Sequence, residues 1–152
     1  MIDNEKTFKD FFTKTMKELG FKKTSGSWHK ENDDIHFLVN LQKSNYGANY
    51  YINLGIFLKM ISDGNYREEK SHLRTRVESL VFNDECEIID ALNLEKTMVE
   101  EQRLLVLEKI LKGRVMEFFE SNSSREKIEN NYKSGQFKKI LVRKELYNLL
   151  NI

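Results

Sequence analysis

The chain has no proline and a single cysteine, Cys86, in 152 residues. One thiol excludes an internal disulfide framework and fits a reducing cytoplasm. No stretch approaches the ~20 consecutive apolar residues that carry a helix across a bilayer. The first residues, MIDNEKTFKDFF, are charged and amphipathic, unlike the apolar centre of a signal peptide. The expectation is a cytoplasmic protein with no membrane contact. An excess of one charge is missing as well: 25 Lys and Arg face 24 Asp and Glu, for a net charge of +1. Nothing therefore steers the whole molecule toward polyanions, and nucleic acid is not an expected partner. The seven glycines are scattered, and none belongs to a phosphate-cradling loop. The lack of proline beside abundant Lys, Asn and Ile points to a bacterial chain of low-GC origin.

What is present suffices for one core. With 39% hydrophobic and 11% aromatic residues, a chain of this size buries roughly 70% of the surface its unfolded form exposes. Residues 1–152 are expected to be one domain, with a helix and sheet in 1–82 and a helical part in 96–152. Phe8, Phe11, Phe12, Thr15, Met16 and Leu19 form one stripe of a 3.6-residue helix over Lys6 to Leu19. Asp3 or Asn4 is placed to cap its start, and Gly20 to end it. Trp28 lies in a short strand, and Asn32-Asp33 reads as a turn.

Beyond that turn the period becomes two. In DIHFLVNLQK, Ile35, Phe37, Val39 and Leu41 share a face opposite His36, Leu38, Asn40 and Gln42. In NYYINLGIFL, Tyr50, Ile52, Leu54, Ile56 and Leu58 lie opposite Tyr51, Asn53, Gly55 and Phe57. A hairpin closed at residues 44–49 sets Val39 against Leu54, Leu41 against Ile52, Asn40 beside Asn53 and Gln42 beside Tyr51. One face is aliphatic and aromatic and suits packing on helices; the other carries amides and tolerates water. SHLRTRVESL, residues 71–80, alternates through Val81 and reads as a further strand, although Leu73, Val77 and Leu80 also fit a helix. Residues 83–95 read as irregular, with a short element around Ile88 and Ile89. A capping box at Thr97–Glu100 opens a long helix to Phe119, and Ser123–Glu126 opens a second helix that Gly135 ends. Phe137 to Leu150 reads as the last. The fold class predicted is α+β, an N-terminal helix packed on an antiparallel sheet of about four strands and followed by three C-terminal helices.

Few patterns carry chemistry. His29, His36 and His72 lack closed-site metal spacing with Asp33, Asp34 or Cys86, so no metal and no cofactor is expected. His29 and His36 flank a turn and read as structural. Cys86 sits between Glu85 and Glu87, whose charges would raise a thiol pKa, and is a poor nucleophile. The basic groups Lys22-Lys23 and Lys138, Lys139, Arg143 and Lys144 read as solvated faces. The sharpest pattern is His72, Arg74 and Arg76 at alternate positions. With Leu73, Thr75 and Val77 turned inward, the two arginines would join Asn40, Gln42, Asn53 and Tyr51 on one surface, with His72 at its rim. Glu78 or another carboxylate would pair one guanidinium, and the remaining donors would receive a carboxylate, a phosphate or an acidic partner surface.

The series Phe11, Leu19-Gly20-Phe21-Lys22-Lys23, Trp28, Val39-Asn40-Leu41-Gln42-Lys43-Ser44, Ile52-Asn53-Leu54-Gly55-Ile56 and His72-Leu73-Arg74-Thr75-Arg76 resembles the bacterial domain of unknown function 4304. The resemblance covers residues 5–82; later helices, including Gly135-Gln136-Phe137, match loosely. It implies an uncharacterised cytoplasmic bacterial domain and transfers no activity or catalytic residue. The function expected is a non-enzymatic protein-binding module whose partner is a toxin, as for immunity proteins, or a regulator. The alternatives are a small hydrolase or transferase using His72 and the arginines on a phosphorylated or anionic substrate, and an RNA-associated protein using the basic C-terminal helix.

Overall fold

The apolar stripe near the N-terminus folds as helix α1, Ile2–Glu18, and buries Phe8, Phe12, Thr15 and Met16 completely. In this computed structural model residues 2–80 and 85–151 are described, the side chains of residues 2, 3, 85 and 86 excepted. The helix starts before Asn4, so Asn4 lies inside it and is no cap; the side chain of Asp3 falls outside the described set. Gly20 ends α1 at φ +88°, a conformation that costs other residues a Cβ clash. Its N–H donates to Lys17 O and that of Phe21 to Met16 O, the paired bonds of a Schellman motif.

Among the described residues six strands follow: β1 (Lys22–Thr24), β2 (Ser27–Glu31), β3 (Ile35–Lys43), β4 (Tyr50–Leu58), β5 (Leu73–Arg76) and β6 (Leu141–Val142). They form one antiparallel sheet in the order β1-β2-β3-β4-β5-β6. The central register is the one the alternation predicts: Val39 opposite Leu54, Leu41 opposite Ile52, Asn40 opposite Asn53 and Gln42 opposite Tyr51. The Asn32 side chain builds the β2–β3 turn by accepting the N–H groups of Asp34 and Ile35.

The sheet has six strands rather than about four because two carry no apolar alternation. The whole of β1, Lys-Lys-Thr, is exposed. Only two residues make up β6, inside the stretch whose periodicity predicts one helix from Phe137 to Leu150. There the open edge of β5 wins: Val142 pairs with Leu73, and Arg143 N–H donates to His72 O. The helix that remains is α6, Lys144–Leu150. β5 itself is a strand, but only to Arg76; Val77–Leu80 turns into a 3₁₀ segment that carries Glu78 off the strand. Val81 lies outside the described residues.

The helices also differ in detail. The short element expected around Ile88 and Ile89, within a stretch otherwise read as irregular, is helix α2 (Glu85–Leu92). The box at Thr97 does not form; α3 (Glu100–Lys109) starts after Val99 with no side-chain cap. It runs through a π-helical segment, Ile110–Val115, into α4 (Met116–Ser121). Ser124, one residue later than expected, caps α5 (Arg125–Lys133) by accepting the Lys127 N–H. Arg103 is buried and donates to the carbonyls of Asp90, Ala91, Asn93 and Lys96, tying the end of α2 to α3.

One core joins these parts. The Phe8 ring of α1 lies 5.1 Å from Tyr50, and Phe119 of α4 lies 4.9 Å from Phe37. Val39, Ile52 and Leu54 are fully buried among them, while Leu19 and Leu41 pack at the edge, partly buried. Among the described residues no helix is long and apolar enough to cross a membrane.

Candidate functional site

The second sheet face is crossed by the connection from β4 to β5. Residues 59–71 fold back over it as a strap: Tyr66 stacks on His36 at 3.6 Å and 3°, and Ser71 sits against Gly55. An added Cβ at residue 55 would overlap the Ser71 hydroxyl, so only glycine lets the strap lie this close. The strap divides the face. Leu38, Phe57, His36 and His72 are buried at or under it; the half beyond it is open.

The open half contains Arg76 of the alternating row, together with the predicted Asn40, Gln42, Tyr51 and Asn53. Asn40, Asn53 and Arg76 are cross-strand neighbours over β3, β4 and β5. Asn53 Nδ2 donates to Asn40 Oδ1 (3.2 Å) and to Gln42 Oε1 (2.9 Å). These two donated bonds use both amide protons, and Asn53 Oδ1 accepts the Arg76 Nε–H at 3.1 Å. Asn40 in turn donates to Ser27 Oγ. The Arg76 guanidinium lies 4.1 Å above the Tyr51 ring, a cation–π contact that fixes its plane. Arg76 is exposed, and among the described residues its two terminal nitrogens make no hydrogen bond. The site thus holds a guanidinium oriented by a ring and an amide chain, with a fork of donors facing water.

Two members of the row go elsewhere. Arg74 forms a bidentate pair with Glu68 of the strap, Nε to Oε1 at 2.8 Å and Nη2 to Oε2 at 2.7 Å. The pairing carboxylate is Glu68 and not Glu78, because the strap overlies Arg74 whereas the strand ends before Glu78. His72 is not at the rim. It is 4% exposed, and its Nδ1 accepts the Leu58 N–H at 2.9 Å. Burial holds its pKa below the ordinary value, so it is a neutral structural group joining β4 to β5.

His29 and His36 are more than separate structural residues. His29 pairs with Leu38, which makes His36 its diagonal neighbour on the same face; His29 Nδ1 lies 2.8 Å from His36 Nε2. The turn at Asn32-Asp33, legible in the sequence, implies this register. Tyr66 is the third partner, and no local pattern reveals it, because it arrives from the strap. Among the described residues no three ligating side chains come together as a metal site; the Cys86 side chain lies outside that set.

The model of one protein family, described as domain of unknown function (DUF4304), matches residues 12–121. The chain belongs to this family. The DUF4304 match runs from within α1 to the end of α4, so it takes in the strap, the arginine row and the π-helical segment, and it extends past residue 82, where the stretch that carries the resemblance ends. No curated protein and no solved structure matches the chain.

Proposed function

We propose that this DUF4304 chain is a cytoplasmic bacterial protein acting as a non-enzymatic binding module, and that its open sheet face receives an acidic group of a protein partner, a toxin or a regulator. The observation that carries the reading is Arg76: oriented by Tyr51 and Asn53, exposed, with both terminal nitrogens available for a bidentate carboxylate. Orientation before binding lowers the entropy lost on docking. Gln42 and Tyr51 flank it and complete a polar rim.

Enzymatic readings are supported less. A hydrolase or transferase reading requires His72, whose one acceptor nitrogen is committed to a backbone N–H. In the basic C-terminal helix proposed for RNA, Arg143 already binds Glu145 and the Glu69 carbonyl. The test is affinity capture from the source cells with the wild-type chain and with Arg76→Ala, followed by titration of the purified partner. The expected result is one partner held by the wild type and weakened at least about tenfold, or ~1.4 kcal/mol, by Arg76→Ala. Unchanged binding by that variant rejects the site.

A further inference from the structure

The covered half of the sheet face opens at its side into a cleft of about 840 Å³ between the β1–β2 hairpin and residues 64–67 of the strap. That volume lies in the range of small-molecule sites. Its charged lining is Lys22, Lys30, Arg67 and Glu31. Lys30 is engaged with Leu19 O, and Glu31 with Lys59. Lys22 has no ion pair among the described residues, and Arg67 has only a loose one with Glu69 at 3.8 Å. Two cations therefore face the cleft with little to neutralise them.

A second feature lies at the cleft wall. Thr24 O can only accept, so the His29 Nε2 beside it at 3.3 Å carries the proton. Burial keeps His29 neutral, and its Nδ1 must then accept. His36 Nε2 is thus the donor across the 2.8 Å contact, and His36 Nδ1 is left a bare acceptor. Opposite it at 3.4 Å stands Glu31 Oε1, another acceptor. His36 is 5% exposed, and this nitrogen makes no hydrogen bond. Two acceptors side by side call for one donor, and Glu31, half exposed, can turn to admit it.

We propose that this cleft binds a small hydroxylated anion, a phosphate ester or hydroxy-carboxylate, whose anionic group is taken by Lys22 and Arg67 and whose hydroxyl donates to the His36–Glu31 acceptor pair. The site is separate from Arg76, on the other side of the strap.

The test is an NMR titration of the intact chain with ribose 5-phosphate, citrate and inorganic phosphate. Saturable shifts of the His29, His36 and Tyr66 ring signals are expected with ribose 5-phosphate or citrate, and weaker binding of inorganic phosphate. Lys22→Gln/Arg67→Gln, with its fold checked by circular dichroism, should weaken binding at least about tenfold. Glu31→Gln supplies an amide donor to His36 and should erase the preference for the hydroxylated probes. Arg76→Ala should bind as the wild type does, which separates this site from the protein-binding face. The proposal is overturned if neither hydroxylated probe saturates, if the double variant binds unchanged, or if inorganic phosphate binds equally well.

Discussion

Replacing Arg74 removes two hydrogen bonds from Glu68, whereas replacing Arg76 removes one bond to Asn53 and a ring contact. The Arg74 side chain is 40% exposed, so solvent screens the pair and Arg74→Ala should cost only about 0.5–1 kcal/mol in urea unfolding. Glu68→Ala should cost about as much, and the double variant less than the sum. Arg76→Ala should stay within about 0.5 kcal/mol of the wild type while losing the partner. The alternation in SHLRTRVESL tells which side of the sheet each arginine takes. It cannot tell their different fates, because Glu68 belongs to a polar connection whose path over the face is set by tertiary packing.

Elements show the same division. Strand pairs β3 and β4, with their register, follow from alternation because each buries one wholly apolar row. α1 follows from its stripe for the same reason, and Phe12→Ala, which empties a fully buried position, should cost about 3–5 kcal/mol by denaturant titration. β1 and β6 are short and mostly exposed, held by backbone pairing that any sequence can supply, so no side-chain pattern announces them. The strap is likewise illegible, because residues 59–71 are mostly polar and carry no apolar period. Gly55→Ala should destabilise by about 1–3 kcal/mol through overlap with Ser71, and Ser71→Gly in the same chain should restore part of the loss. A Gly55→Ala protein as stable as the wild type would show that the strap does not lie against β4.

For the whole molecule the three histidines set the response to acid. His29, His36 and His72 all have pKa values below the ordinary 6.5, chiefly from burial, with His36 lowered to about 4. As pH falls below 6.5 the unfolded chain takes up protons that the folded chain refuses, so stability falls with pH. The loss should run from pH 6.5 toward 4. It precedes the contribution of Glu5 and Glu31, whose lowered values place their loss below 4.5. Urea midpoints measured between pH 7 and 4.5 should therefore decline; a flat profile would mean the histidines are not buried neutral. The strand order has a separate consequence, for the timing of assembly. Each of β2 to β5 pairs with the strand before it, so a nascent chain can assemble that meander while the helices after α1 are still unsynthesised. β6 closes a loop of roughly 70 residues onto β5, and until it arrives the β5 edge stands as an unpaired template for a neighbouring chain. On the ribosome, the last strand acts as a latch on a sheet already made.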